Sequence, residues 1–383
     1  MLRRQFLGST ILLATAARAT SGLASPSSSS ALMTIAQQVV QSKSSPAIQI
    51  AVMKAGVLTE SIALGSANLE SLTAASPRSV FRIGSLTKQI TGALLLKLQT
   101  EKKLSLTDPA AKYLPFLSRH AACTIKELAQ HTAGIHEDQD PPLLSGEITQ
   151  YRLAQALAEQ KQFFDFPPGS AWLYSNANYI LLGAIIESVT KQTLGQAVEK
   201  YLTGKLALAA TGYDDLGQVL IGRAAGYSQT ASEKEPFRNA AWIDVAQSGA
   251  AGAMRSTAAE LVTLAQALLF GTLLTSTERA EFLEPSRLRN GKPASSNRFS
   301  EQDRAMGDAQ YGLGIHLDHT STRDKSLIVH HTGFIAGFSA YLATHMGSQT
   351  TVACLCNVDV NPKLPFRDIR RAVFRSVLLP PNP

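Results

Sequence analysis

The residues best suited to chemistry form a Ser-x-x-Lys pattern, Ser85-Leu86-Thr87-Lys88, at the start of a predicted helix. Positions i and i+3 lie on one helical face, so the lysine amine can reach the serine hydroxyl. The helix N-terminus adds positive potential and free N–H groups, which favour an alkoxide and the oxyanion that follows its attack. The pattern therefore predicts Ser85 as a nucleophile with Lys88 beside it.

The same pattern occurs a second time, as Ser188-Val189-Thr190-Lys191. This copy falls at the C-terminal end of a predicted helix, where the helix dipole has the wrong sign for a nucleophile. We interpret it as a solvated helix end.

A Tyr-x-Asn sequence, Tyr174-Ser175-Asn176, is predicted in a loop after Pro168-Gly169. A phenol held near cationic groups has a lowered pKa, so Tyr174 could accept the serine proton. Asn176 would hydrogen-bond the substrate amide and Lys88. The alternative is an ordinary loop with a tyrosine in the core.

His331-Thr332-Gly333 is predicted to close a strand. There a polar group and a hydroxyl could flank a substrate, while glycine lets the backbone approach closely. The alternative is a histidine packed within the strand. His345-Met346-Gly347 also fits His-x-Gly, but it falls in a predicted turn.

Hydrophobic periodicity places strands at both ends of the chain around a helical middle. This order predicts an α+β fold, in which both chain ends build one antiparallel sheet of about five strands, flanked by helices, with a mainly helical region inserted. The α/β part covers about 31–100 plus 305–383, and the helical part about 101–304. Predicted helices are 31–41, 90–99, 125–130, 151–159, 179–189, 258–269 and 366–377, and predicted strands are 47–53, 57–65, 311–317, 326–331, 337–344 and 350–357.

The first 24 residues have the order of a signal peptide: Arg3-Arg4, a short apolar run, then small residues. Paired arginines before Phe6-Leu7 are typical of twin-arginine export. We therefore expect a single unit over 25–383 that is periplasmic or secreted. Neither this apolar run nor any other approaches the ~20 residues that a membrane span needs.

Composition excludes several classes of protein. The 36 basic and 29 acidic residues give a net charge of +7 without any basic stripe, so no nucleic-acid partner is expected. The eight histidines show no ligand spacing, so we expect no metal and no other cofactor. Cys123, Cys354 and Cys356 do not make a disulfide framework, although a bridge from Cys123 stays open.

Taken together, these motifs resemble the serine β-lactamase and penicillin-binding-protein superfamily, and within it the class C-type branch. That branch includes D-aminopeptidases, DD-carboxypeptidases and esterases. The resemblance runs from about residue 32 to 378. It rests on the ordered segments 81–89, 128–134, 168–169, 174–179, 251–257, 311–314, 331–334 and 337–339.

The resemblance implies a β-lactamase/transpeptidase-like fold and a division of labour. Ser85 attacks, Lys88 and Tyr174 share the general-base role, and Asn176 orients the substrate. The backbone N–H groups of Ser85 and Phe334 form the oxyanion hole, with Phe334 placed just after a strand turn. The remaining substrate-binding candidates are His331, Thr332 and Gly333, whereas His131 corresponds to a structural residue and is left out.

One departure from the resemblance bears on the substrate. β-Lactamases carry Lys-Thr-Gly where this chain has His331. An imidazole near its reference pKa of ~6.5 is mostly neutral at pH 7 and titrates between about 5.5 and 7.5. The sequence therefore favours an acyl-enzyme hydrolase of small esters, amides or D-amino-acid peptides, including peptides derived from peptidoglycan.

Two alternative functions stay open at this point, and a third is rejected. A class C-like β-lactamase or DD-carboxypeptidase would share the fold. A non-catalytic penicillin-sensing or wall-binding module would keep the fold and lose a catalytic group. An α/β-hydrolase esterase needs a Gly-x-Ser-x-Gly elbow, which the sequence lacks.

Overall fold

The computed structural model describes residues 28–120, 122–137, 144–319 and 322–375. The predicted signal peptide and the last residues of the closing predicted helix lie outside this part of the chain.

One antiparallel sheet of eight strands organises the fold. Five strands have seven or more residues, which confirms the predicted sheet of about five, and three short strands extend its edges. The strand order is β3-β2-β1-β13-β12-β11-β10-β9. The bounds are β1 Ala47–Lys54, β2 Val57–Asn68, β3 Thr73–Ala74, β4 Phe81–Arg82, β5 Gly212–Tyr213, β6 Tyr227–Gln229, β7 Phe237–Asn239, β8 Met254–Ser256, β9 Gln310–Tyr311, β10 His316–Asp318, β11 Ile328–Ile335, β12 Phe338–His345 and β13 Thr350–Cys356.

Both chain ends build the centre of this sheet, as predicted. Strand β1 pairs with β13, and Ile50 lies opposite Cys354. The alternate residues Ile48, Ile50 and Val52 enter the core on one face, while Ala51 and Met53 enter the core on the other. Because successive strand residues point to opposite faces, the central strands are buried on both sides.

Helices cover the two faces of the sheet and fill the middle of the chain. The first and last helices pack together on one face, and α8 packs on the other. The bounds are α1 Ser28–Gln41, α2 Thr87–Thr100, α3 Ile125–Ala129, α4 Gln150–Ala158, α5 Asn176–Thr190, α6 Leu194–Val198, α7 Gly249–Gly252, α8 Ala258–Leu269, α9 Ser276–Phe282, α10 Glu301–Arg304 and α11 Phe366–Phe374.

The single strand predicted over 311–317 is wrong. Two short antiparallel strands, β9 and β10, occupy this region and pair through Tyr311 and His316. Gly314 makes the reversal between them at φ +82°, a backbone conformation that favours glycine. A Cβ at Gly314 would also lie 2.3 Å from the Lys88 carbonyl oxygen, so this turn packs directly on α2.

The strand turn predicted at Gly333 is also wrong. Strand β11 continues through Phe334 to Ile335, and the turn to β12 contains Gly337 at φ +78°. The sequence of β11 lacks a clear alternation of apolar and polar residues, so the sequence did not predict that the strand extends to Ile335.

Candidate active site

Ser85 lies in a short 3₁₀ turn, Gly84–Leu86, that leads into α2. The turn sits against β11 through two glycines. A Cβ at Gly84 would lie 2.7 Å from the Phe334 backbone nitrogen, and one at Gly333 would lie 2.0 Å from the Ile83 carbonyl oxygen. Only glycine permits this approach, which brings the Phe334 N–H beside the segment that carries Ser85.

Lys88 lies one helical turn after Ser85 and is completely buried. Its Nζ donates to Ser85 Oγ at 3.1 Å, to Asn176 Oδ1 at 2.7 Å and to the Ala251 carbonyl oxygen at 2.9 Å. Burial lowers the pKa of Lys88 to about 7, opposed by the charge of Glu137. A neutral amine therefore forms near neutral pH. With its two N–H groups held by Asn176 and Ala251, its lone pair faces the Ser85 hydroxyl.

Tyr174 lies in the loop before α5, as predicted, and its ring stacks beside the amine, with Lys88 Nζ 4.9 Å from the ring centroid. The predicted lowering of its pKa is wrong. Burial raises the pKa of Tyr174, and a hydrogen bond with the Ser85 hydroxyl offsets only part of that effect. Enclosure disfavours the phenolate more than one nearby amine favours it. Tyr174 therefore holds its proton when Lys88 can be neutral.

Asn176 is the first residue of α5, and its side chain has a fixed orientation. Its Oδ1 accepts from Lys88, and its Nδ2 donates to Glu137 Oε1 at 2.6 Å. The backbone N–H of Asn176 donates to the second oxygen of the same carboxylate. Sequence reasoning missed Glu137, because nothing in its local sequence links it to a residue 39 positions later.

A cavity of about 330 Å3 opens beside Ser85. Asn176 and Phe334 line it, and the Phe334 side chain is 43% exposed. Among the described residues that line this cavity, Glu137 is the only one with an ionisable side chain. Thr332 and Gly333 lie on β11 next to the cavity but do not line it.

His331 points into the interior rather than into this cavity. Its Nδ1 contacts the Thr332 carbonyl oxygen, which can only accept, so the proton is on Nδ1. Its Nε2 therefore accepts from the Tyr311 hydroxyl at 3.1 Å. The prediction that His331 titrates near 6.5 is wrong, because burial, with a contribution from the Lys88 charge, lowers its pKa to about 3.

His131 supports the site from behind. Its Nδ1 accepts from the Ser175 backbone N–H at 3.2 Å and from Asn178 Nδ2 at 3.1 Å. Its ring packs 4.5 Å from the Tyr174 ring, centroid to centroid. It contacts the first turn of α5 and the tyrosine, in agreement with a structural rather than a reacting residue.

The three cysteines are buried and free, so the open question of a Cys123 disulfide is answered in the negative. Within the described ranges, no group of three or more His, Cys, Asp or Glu residues could hold a metal ion. No helix in the same ranges has the length and apolar character to cross a membrane.

A family model described as Beta-lactamase matches residues 32–375. The chain belongs to the Beta-lactamase family. This family agrees with the resemblance to the serine β-lactamase and penicillin-binding-protein superfamily that the sequence motifs carry.

Curated relatives of this Beta-lactamase family member include two Staphylococcus aureus proteins. Protein flp of strain MW2 is 28% identical over 201 residues, 51% of this chain and 40% of flp. Teichoic acid D-alanine hydrolase is 29% identical over 167 residues, 43% of this chain and 41% of the hydrolase. The matched regions thus span well under half of those relatives.

Solved structures share the fold over most of their length. D-amino acid amidase from Ochrobactrum anthropi SV3, complexed with D-phenylalanine, superposes with a TM-score of 0.75 at 19% identity, covering 91% of this chain and 98% of the amidase. A D-stereospecific amidohydrolase from Streptomyces sp. has a TM-score of 0.68 at 23% identity, covering 91% and 99%. These likenesses establish the β-lactamase/transpeptidase-like fold.

Proposed function

We propose that this chain is an exported hydrolase that forms an acyl-enzyme on Ser85 and cleaves small esters or amides of D-amino acids. The observation that carries the proposal is the buried Lys88 amine, which has a pKa of about 7 and lies 3.1 Å from Ser85 Oγ. A general base is most effective when its pKa is close to the working pH.

The contacts support a definite sequence of proton transfers. Neutral Lys88 takes the proton of Ser85 as Oγ bonds to the carbonyl carbon. The oxyanion is stabilised by the N–H groups of Ser85 and Phe334. Collapse breaks the bond to the leaving group, which takes the proton from Lys88 through the Tyr174 hydroxyl. Water then attacks the acyl-enzyme with the same base, releasing the acid and Ser85.

The charge distribution favours an acyl group with a free ammonium. The Glu137 carboxylate faces the cavity beside Ser85, and its two oxygens have lone pairs beyond those used by Asn176. His331 is neutral and turned inward, so it supplies no positive charge for a substrate carboxylate. A β-lactam is therefore a poorer match than an aminoacyl ester or amide.

The name of one relative supports the same acyl group. Teichoic acid D-alanine hydrolase acts, by its name, on a D-alanyl substrate, and it matches 43% of this chain. Because the match covers only 41% of that relative, the D-alanyl specificity is part of our proposal.

A comparison of three substrates tests the proposal: D-alanine methyl ester, its N-acetyl derivative and a chromogenic cephalosporin. We expect kcat/KM for the free-amine ester to exceed that for the N-acetyl ester by ~10–100-fold, since a desolvated ammonium–carboxylate contact is lost. Glu137→Gln should reduce this ratio towards one. Preferential turnover of the cephalosporin would overturn the substrate class, and a protein without turnover or covalent phosphonate labelling would be a binding module.

Export is a separate part of the proposal and rests on the Arg3-Arg4 pair and the apolar run after it. Protein recovered from the periplasm or medium of its native host should begin near Thr20 or Ser25. An intact Met1 on the native protein would contradict a cleaved twin-arginine signal.

A further inference from the structure

A second cavity, of about 350 Å3, lies beside the first and is rich in arginine. Arg82, Arg223 and Arg255 line it around Asp214, whose side chain is only 1% exposed. Arg82 Nε donates to Asp214 Oδ2 at 2.8 Å, and Arg223 Nη1 contacts the other oxygen of the carboxylate. Arg255 Nε is buried, lies 4.0 Å from Asp214 Oδ1 and has no hydrogen-bond partner among the described residues.

The charges in this cluster do not balance. Three guanidinium groups face Asp214, and a second carboxylate, that of Glu260, acts on Arg255 from a position where it accepts from Thr211. Three positive charges less two negative charges leave one positive charge in excess. The other hydrogen-bond partners of Arg223 and Arg255 are uncharged oxygens of residues 210, 215 and 218, so they add no negative charge to the cluster. Solvent partly screens this excess at Arg82 and Arg223 and screens it least at Arg255, and a bound anion would balance it.

The arginine cavity and the Ser85 cavity are neighbours because the same three stretches of chain line both. In the first stretch, Arg82 lines the arginine cavity and Ser85 lines the catalytic cavity. In the second, the β11–β12 hairpin, Ala336 lines the arginine cavity and Phe334 lines the catalytic cavity. The third stretch contributes Ile243 to the arginine cavity and Ser248 to the catalytic one. A substrate that occupies both cavities must therefore carry a leaving group that extends from Ser85 past these three stretches.

The rim of the arginine cavity carries an exposed aromatic ring. Trp242 lines the cavity, yet its side chain is 81% exposed. An indole of this kind, with an apolar face and one N–H donor, suits the carbon skeleton of a polar ligand whose charge is held deeper.

We propose that the arginine cavity is an anion subsite, in which Arg82, Arg223 and Arg255 hold a phosphate or carboxylate on the leaving-group side of a substrate whose acyl carbon lies at Ser85. This proposal rests on the function proposed above. The ammonium of the acyl group then faces Glu137, and the anion of the leaving group faces the arginines. The two cavities therefore bind opposite charges of one substrate molecule.

Hydrolysis of matched esters tests the subsite. The substrates are the D-alanyl esters of glycerol, glycerol 3-phosphate and glycolate, and the readout is kcat/KM for each anionic ester relative to the neutral one. Arg223→Gln should lower this ratio by ~5–30-fold, and Arg223→Lys should lower it less, because a lysine keeps the charge without the planar fork. Arg287→Gln, an exposed arginine outside the cavity, is the matched control and should leave the ratio unchanged.

A binding measurement separates this subsite from the catalytic proposal. In the Ser85→Ala protein, titration with glycerol 3-phosphate or with glycolate should give a saturable change in Trp242 fluorescence, which Trp242→Phe removes and Arg223→Gln weakens. The phosphate and carboxylate arms show which anion is preferred. Binding without turnover by the unaltered protein would overturn the proposed function and keep the subsite. Equal ratios in all variants, or no saturation below about 20 mM, would overturn the subsite.

Discussion

The chain contains Ser-x-x-Lys twice, and the two copies have opposite fates. Lys88, in the first turn of α2, is completely buried and donates to Ser85. Lys191 is exposed and caps the C-terminus of α5 with φ +55°, while Ser188 donates to the Tyr113 carbonyl oxygen at 3.3 Å. The same four-residue pattern thus gives a reactive pair at one helix end and an ordinary helix stop at the other.

The difference lies in what surrounds each lysine. At a helix N-terminus the free N–H groups favour an anion, whereas at a C-terminus the free carbonyls favour a cation. Burial adds a larger effect: it lowers the pKa of Lys88 to about 7, whereas no neighbouring element encloses Lys191. A serine becomes a nucleophile when its partner amine can lose a proton, and sequence spacing alone does not secure that.

The largest expected effect separates the two serines. Ser85→Ala should lower kcat/KM for D-alanine methyl ester by ~10³-fold or more and abolish labelling by a phosphonate, because the nucleophile is lost. Ser188→Ala, which removes one part-buried hydrogen bond far along the chain from Ser85, should stay within about twofold of the unaltered protein. Mass spectrometry should find the adduct on Ser85. An adduct on another residue would remove Ser85 from this role.

The next effect separates the two lysines. Lys88→Met should lower kcat by ~10²-fold or more, because the general base is lost. Lys191→Met, its matched control, should retain activity. In the unaltered protein, kcat/KM should rise with pH through a midpoint near 7, since only neutral Lys88 accepts the proton. If kcat/KM did not change between pH 5.5 and 8.5, about one and a half pH units either side of the midpoint, Lys88 would not be the general base.

The lowered pKa of Lys88 also predicts how the stability of the protein changes with pH. Between pH 7 and the ordinary lysine pKa near 10.5, the unfolded chain holds the Lys88 proton and the folded chain does not. The unfolding free energy contributed by this group therefore rises with pH across that window. The Lys88→Met protein should lack this rise in urea titrations, whereas the Lys191→Met protein should keep it.

Short-range patterns predicted much of this molecule. Alternation along β1 and β2 located two of the long strands, and the position of Ser85 at a helix start distinguished the two serine motifs. These features depend on neighbours within a few residues. That both chain ends build one sheet was also predicted, because strands at both ends leave one sheet as the simplest arrangement.

Features that depend on enclosure were not predicted. The Ala251 carbonyl that holds Lys88 lies 163 residues away in the chain, and Glu137 reaches Asn176 across 39. The direction of the Tyr174 pKa shift was wrong because the sequence shows the nearby cation but not the burial of the ring. In each case the missing quantity is the environment that the fold creates around a correctly located residue.

The smallest effect concerns His331, and it tests whether Lys88 alone sets the midpoint near 7. Because burial holds the pKa of His331 at about 3, this imidazole stays neutral across the working pH range. A change in activity near pH 7 therefore reports the titration of Lys88 and not that of His331. His331→Gln keeps an acceptor for the Tyr311 hydroxyl, so kcat/KM should fall by less than ~5-fold. Its pH midpoint should match that of the unaltered protein within about 0.3 units, since no charge is removed. A midpoint that moves or disappears in His331→Gln would mean that the imidazole titrates during catalysis, and the contrast between the two lysines would then no longer explain the pH dependence.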